Sequence, residues 1–157
     1  MNYITYLLPE YFKPQRRPRS DNSHKYKKTV IYELRSRTYP YILYIGHTIV
    51  PEKRLQQHKN EALTNKNNHL KSRYMRLIGV DDFQFKALRT FSCQNRIEAE
   101  LVEMDYIKRF KPPMNTEFVT QEQKILNEVQ YIEFSRKIEF STIYQLGKMV
   151  LKFLGVT

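Results

Sequence analysis

The stretch from Thr29 to His58 constrains this chain most, because it changes periodicity within thirty residues. Val30, Tyr32 and Leu34 alternate with Thr29, Ile31 and Glu33, and Ile42, Tyr44 and Gly46 alternate with Tyr41, Leu43 and Ile45. β-branched and aromatic residues at period two predict strands over 29–35 and 41–47. The connector S-R-T-Y-P suits a hairpin loop. Tyr32 then lies on one face of its strand, and Tyr44 and Gly46 share a face of the other. A helix opens at Pro51, a favoured first-turn residue, with Glu52 well placed in the same turn. Arg54 and His58, four apart, share a helix face, with Leu55 and Ala62 on a neighbouring apolar stripe.

Downstream, 63–68 reads as a polar loop. A helix over 69–78 ends at Gly79, with Leu70, Tyr74 and Leu77 inward. Residues 82–91 predict a third strand with Phe83, Phe85, Ala87 and Phe91 on one side. The segment 94–110 is the strongest helix. At 100° per residue, Ile97, Leu101 and Met104 form one stripe, and Ala99, Tyr106 and Phe110 another. Glu103 falls inside the apolar arc, with Glu100 beside Met104. A carboxylate aimed at a packed face needs a partner or a metal. K-P-P-M-N-T then ends the helix and presents Asn115. Two further helices are expected over 121–137 (Ile125, Val129, Ile132) and 141–154 (Ile143, Leu146, Val150, Phe153). They could pack on the domain, which is the default, mediate dimerisation, or read DNA as a helix pair.

Lysine and arginine number 27 against 16 acids, a net charge of +11 in 157 residues. That excess points to a polyanion, nucleic acid before an anionic membrane. Seven of the basic residues fall between Lys13 and Lys28, against the single acid Asp21. Lys13, Arg16, Arg17, Arg19, Lys25, Lys27 and Lys28 suggest a basic arm along DNA phosphates, each contact adding about 0.9 to the salt slope. The other reading is a solvated leader. Lys53, in the first turn of the Pro51 helix, joins the expected DNA-binding set. One cysteine, Cys93, excludes an intrachain disulfide framework and a cysteine-rich zinc site. The four histidines show no zinc-ligand spacing. No apolar run approaches the ~18 residues of a membrane span. No secretory signal is recognisable, so an intracellular setting, cytoplasm or nucleus, is expected.

With V-I-Y, Y-I-G, K-R-L-Q-Q-H, the glutamate of E-M-D-Y-I-K, and P-P-M-N-T, the sequence resembles the GIY-YIG nuclease family over roughly residues 28–117. Any one of these motifs is weak, but five in order are specific. The resemblance implies an α+β domain: a small three-stranded antiparallel sheet flanked by helices. It also implies divalent-metal-dependent cleavage of phosphodiester bonds. Residue by residue, Tyr32 matches the tyrosine proposed as general base, Tyr44 the tyrosine lining the site, Arg54 the arginine on the phosphate, and His58 a frequent orienting histidine. Glu103 matches the single metal-binding carboxylate, for Mg²⁺ (or Mn²⁺), and Asn115 a polar residue that closes the site. Val30 stands where glycine is usual. His69 lies near a second histidine found in some members.

Taken singly, each residue has an ordinary reading: strand aromatics, a solvated helix face, an ion-paired carboxylate. Jointly they point to a DNA endonuclease acting on double-stranded or branched DNA. A catalytically silent nucleic-acid-binding module on the same fold is the alternative. The expected organisation is a basic arm over 1–28, a nuclease-like domain over 29–117, and a helical extension over 118–157 through which a homodimer could form.

Overall fold

The computed structural model describes residues 23–64 and 68–155. The expected contacts from Lys13, Arg16, Arg17 and Arg19 lie outside those residues. Strands β1 (Thr29–Ser36), β2 (Leu43–Thr48) and β3 (Phe83–Phe91) form one antiparallel sheet in the order β2-β1-β3. The helices are α1 (Ser23–Tyr26), α2 (Pro51–Leu63), α3 (Leu70–Ile78), α4 (Arg96–Phe110) and α5 (Gln121–Phe153). This is the α+β arrangement expected, with the sheet flanked by helices.

β1 is central and buried on both faces, because each face has its own cover. On one side Ile42, Leu70, Tyr74, Met75, Phe83, Met114 and Phe134 form a core beneath α2, α3 and the first half of α5. On the other, Ile31, Ile45 and Ile107 pack with Leu88 and Phe91 beneath α4. Phe83 and Phe91 therefore serve opposite cores, which corrects the single-sided reading of β3. Ile31 pairs with Arg89 but Tyr32 pairs with Ala87, so the register shifts at Leu88. That bulge inserts one residue and inverts the alternation beyond it. Val30 is paired on both sides, with Thr48 and Thr90. Its backbone is not in the left-handed region, so the missing glycine leaves the strand intact.

α4 also turns differently from the expected stripes. Its buried face is Ala99, Glu103 and Ile107, while Ile97, Leu101 and Phe110 are exposed. Glu103 is thus at the centre of the packed face. Glu100 instead pairs with Arg96 on the solvent side. Asn95 caps the helix by accepting from Glu98 N–H, which fixes its start.

The two C-terminal helices expected are one continuous helix. Neither Ser135 nor Thr142 caps a new start: both hydroxyls donate back to carbonyls of the preceding turn, Ile132 and Ile138. No proline interrupts the run. The face of α5 that packs on the domain carries Asn127, Tyr131, Phe134 and Ile138. The stripes predicted to pack, from Ile125 to Ile132 and from Ile143 to Phe153, are exposed. No helix among the described residues is long and apolar enough to cross a membrane.

Candidate active site

Period-two geometry puts Tyr32 directly opposite Gly46, and Leu34 opposite Tyr44. The Tyr32 ring lies across Gly46: a Cβ there would sit 2.6 Å from the Tyr32 hydroxyl and 2.8 Å from Tyr44 Cε1. Glycine at this position is what lets two tyrosines converge over one strand. Phe85 stacks on the other side of the Tyr32 ring, at 4.7 Å between centroids. Tyr32 is fully buried, yet its oxygen is not without partners.

Those partners come from α2. Arg54 Nε donates to the Tyr32 oxygen at 3.0 Å, and His58 Nε2 lies 2.7 Å from it. Tyr44 sits beside both, 6.3 Å from Tyr32 and 5.6 Å from His58 between ring centroids. The i, i+4 spacing of Arg54 and His58 delivers both groups to one oxygen. The four residues Tyr32, Tyr44, Arg54 and His58 are therefore brought together.

Behind His58 stand two residues that sequence reasoning missed. Lys71 Nζ is 2.7 Å from His58 Nδ1 and 3.1 Å from Glu61 Oε2, while Glu61 Oε2 is 3.3 Å from His58 Nδ1. Lysine has only donors to offer, so Nδ1 accepts from it and the ring proton resides on Nε2, facing Tyr32. This tautomer is assigned from the network. Glu61 is three residues beyond His58 on α2, a spacing that could have flagged it. Lys71 gives no such signal, since only the packing of α3 on α2 turns it inward.

Burial dominates the acid–base character of the site. It pushes Tyr32 up to about 12, against the pull of the Arg54 guanidinium. Tyr44 is raised as well, chiefly by burial. Burial, reinforced by Lys71 and Arg54, holds His58 down at about 2, so its imidazole is neutral. His58 therefore contributes a hydrogen-bond donor rather than the positive charge that a protonated ring would have lent Tyr32. Lys71 is lowered by burial, with Glu61 opposing.

Tyr44, Arg54, Lys71 and Asn115 line an open cleft of about 230 Å³, together with His69 and Glu117 among others. Glu103 is not part of that lining. From α4 it reaches β2, where His47 Nδ1 and its Oε2 share a hydrogen bond. Its charge is near enough to oppose ionisation of both tyrosines. Among the described residues, the other carboxylate oxygen has no hydrogen-bond partner. His47 was also missed: it follows Gly46 and points to the face that α4 covers.

Asn115 is committed at both ends of its amide. Oδ1 accepts from Ile45 N at 2.9 Å and Nδ2 donates to Ile45 O at 2.8 Å. It closes the open edge of β2 beside the cleft. Asn127 of α5 donates to the Asn115 carbonyl at 2.8 Å and accepts from Gln123. Of the expected DNA contacts, Lys25, Lys27, Lys28 and Lys53 are exposed. Residues 23–28 are not a loose arm: the Tyr26 carbonyl accepts from Thr29 Oγ1 and Cys93 N.

The family model described as the GIY-YIG catalytic domain matches residues 28–117. No curated protein and no solved structure matches the chain.

Proposed function

Because the chain belongs to the GIY-YIG family, a family of nuclease domains, we propose that it is a divalent-metal-dependent DNA endonuclease, with Tyr32 as the general base toward the attacking water. The observation that carries this reading is the Tyr32 oxygen, which receives Arg54 Nε and His58 Nε2 together. A phenol oxygen facing two donors favours the phenolate, because hydrogen bonds to the charged form lower its pKa. Burial works the other way, so Tyr32 is protonated in the protein alone. Ionisation belongs to the loaded site, where added positive charge tips the balance. His58 and Lys71 hold the donor geometry. Arg54, whose NH1 is engaged only with Gln57 among the described residues, can turn its remaining N–H groups to the scissile phosphate.

The donor set fits one kind of ion. No cluster of three metal-ligating side chains exists among the described residues, which argues against a cation held by protein ligands alone. A single buried carboxylate with a spare oxygen suits Mg²⁺ (or Mn²⁺), which keeps most of its waters and takes a phosphate oxygen. Glu103 would hold it and His47 would orient the carboxylate. Bound there, the ion would neutralise charge on the phosphate and the leaving oxygen.

The exposed Lys25, Lys27, Lys28 and Lys53, and the net charge of +11, support double-stranded or branched DNA as the substrate. The test is a supercoiled-plasmid assay with Mg²⁺, comparing the wild type with Tyr32→Phe, Arg54→Ala and Glu103→Ala. Nicked or linear product from the wild type, reduced at least about 100-fold in each variant, is the expected result. Salt-sensitive binding without cleavage in any metal would assign the chain instead to the silent binding module.

A further inference from the structure

From Glu139 to Gly155 every residue is exposed, although the helix continues to Phe153. An uncovered half-helix of this kind is marginal in water. The exposed apolar residues of α5 include Leu126, Phe140, Tyr144, Met149, Leu151 and Phe153, and six others fall into a regular repeat. Read in sevens, one position of the repeat is filled by Ile125, Ile132, Glu139 and Leu146, and the other by Val129, Arg136, Ile143 and Val150. The two positions alternate at spacings of three and four, the pattern of a coiled-coil seam. All six apolar members are exposed, between 42% and 68%. At 100° per residue the seam lies roughly opposite the Asn127–Phe134 face that docks on the domain. The domain therefore leaves it free along the whole helix.

The two charged positions select the occupant and its direction. In a parallel pair, Arg136 would face Arg136 and Glu139 would face Glu139. In an antiparallel pair centred between residues 137 and 138, Arg136 faces Glu139 twice. The same register sets Ile132 against Ile143, Val129 against Leu146 and Ile125 against Val150. It also overlaps the two helices along almost their full length, since that centre is within one residue of the middle of α5. We propose that α5 pairs with α5 of a second copy of this chain, antiparallel, through the seam from Ile125 to Val150, with reciprocal Arg136–Glu139 pairs at its centre.

The test is sedimentation equilibrium of the full chain. A mass twice the 19.1 kDa of the chain is expected, and a monomer at about 100 µM would overturn the proposal. Arg136→Glu and Glu139→Arg singly should each weaken association by about tenfold or more, and the double swap should restore it. Both sites are exposed, so the domain's circular dichroism should not change. A parallel pair would show no such recovery, because its like-charge contacts are as numerous in each single variant as in the double. Direction is read separately by oxidation. A mixture of Ile132→Cys and Ile143→Cys chains should cross-link to each other, whereas cross-linking of Ile143→Cys with itself would overturn the register. These readouts are mass and cross-links, so they stand whether or not the site cuts DNA.

Discussion

At the scale of single residues, the site is decided by space and by one proton. Gly46 has no room for a side chain, since a Cβ would meet the Tyr32 hydroxyl, the ring carbon bearing it, and Tyr44, all under 3 Å. In Gly46→Ala the strand backbone cannot give, so Tyr32 must leave its bonds to Arg54 and His58. Cleavage should fall by about 100-fold, with a stability loss of about 1–3 kcal/mol by urea titration. His58 carries the proton argument. Its folded pKa is depressed from 6.5 to about 2, so the unfolded chain takes up its proton first as pH falls. The stability from burying it neutral is complete above about pH 6.5 and drains away below it, by up to about 1.4 kcal/mol per pH unit. Urea midpoints at pH 7 and pH 5 should differ more in the wild type than in His58→Gln. Equal differences would show that the ring is protonated in the fold. The grouping of Tyr32, Tyr44, Arg54 and His58 was legible through the family resemblance; strand and helix periods place Tyr44 with Gly46 and Arg54 with His58, but do not by themselves bring the strand to the helix. Lys71 and His47 were not, because each acquires its role from an element distant in sequence.

At the scale of elements, the errors of the sequence reading share a cause. Phe91 was assigned to the face of Phe83 because alternation says nothing about an inserted residue at Leu88. α4 was read by the number of apolar residues in each stripe, yet it buries Ala99, Glu103 and Ile107. A small residue allows close approach to the sheet, and a carboxylate there is satisfied by His47. α5 reads as two helices in the sequence because its apolar residues form two groups, Ile125 to Ile132 and Ile143 to Phe153, whereas the backbone runs on unbroken between them. The edge of β2 offers a direct check on how elements are joined. Asn115 serves Ile45 N–H and C=O together. Asn115→Leu leaves both without partners, each costing about 1–3 kcal/mol. A total loss of about 2–6 kcal/mol is expected by urea titration, with faster amide exchange at Ile45. Unchanged exchange would mean that the segment after α4 does not hold the strand.

At the scale of the whole molecule, the chain of amides from Gln123 through Asn127 and Asn115 to Ile45 links α5 to the strand that carries Tyr44. Such a link has no hinge in it. If two copies join as proposed, Asn127 of one lies across from about residue 148 of the other. Their anchor points then sit roughly 30 Å apart along the shared axis, at 1.5 Å per residue, close to one turn of duplex DNA. Spin labels at an exposed strand position such as Gln84→Cys should report a narrow distance distribution in the pair, and a broad one when Asn127→Ala removes the link. An equally broad distribution in both would locate the flexibility elsewhere. The tail is then less a tether than a ruler: it turns an arrangement of side chains into a fixed interval between two sites of attack.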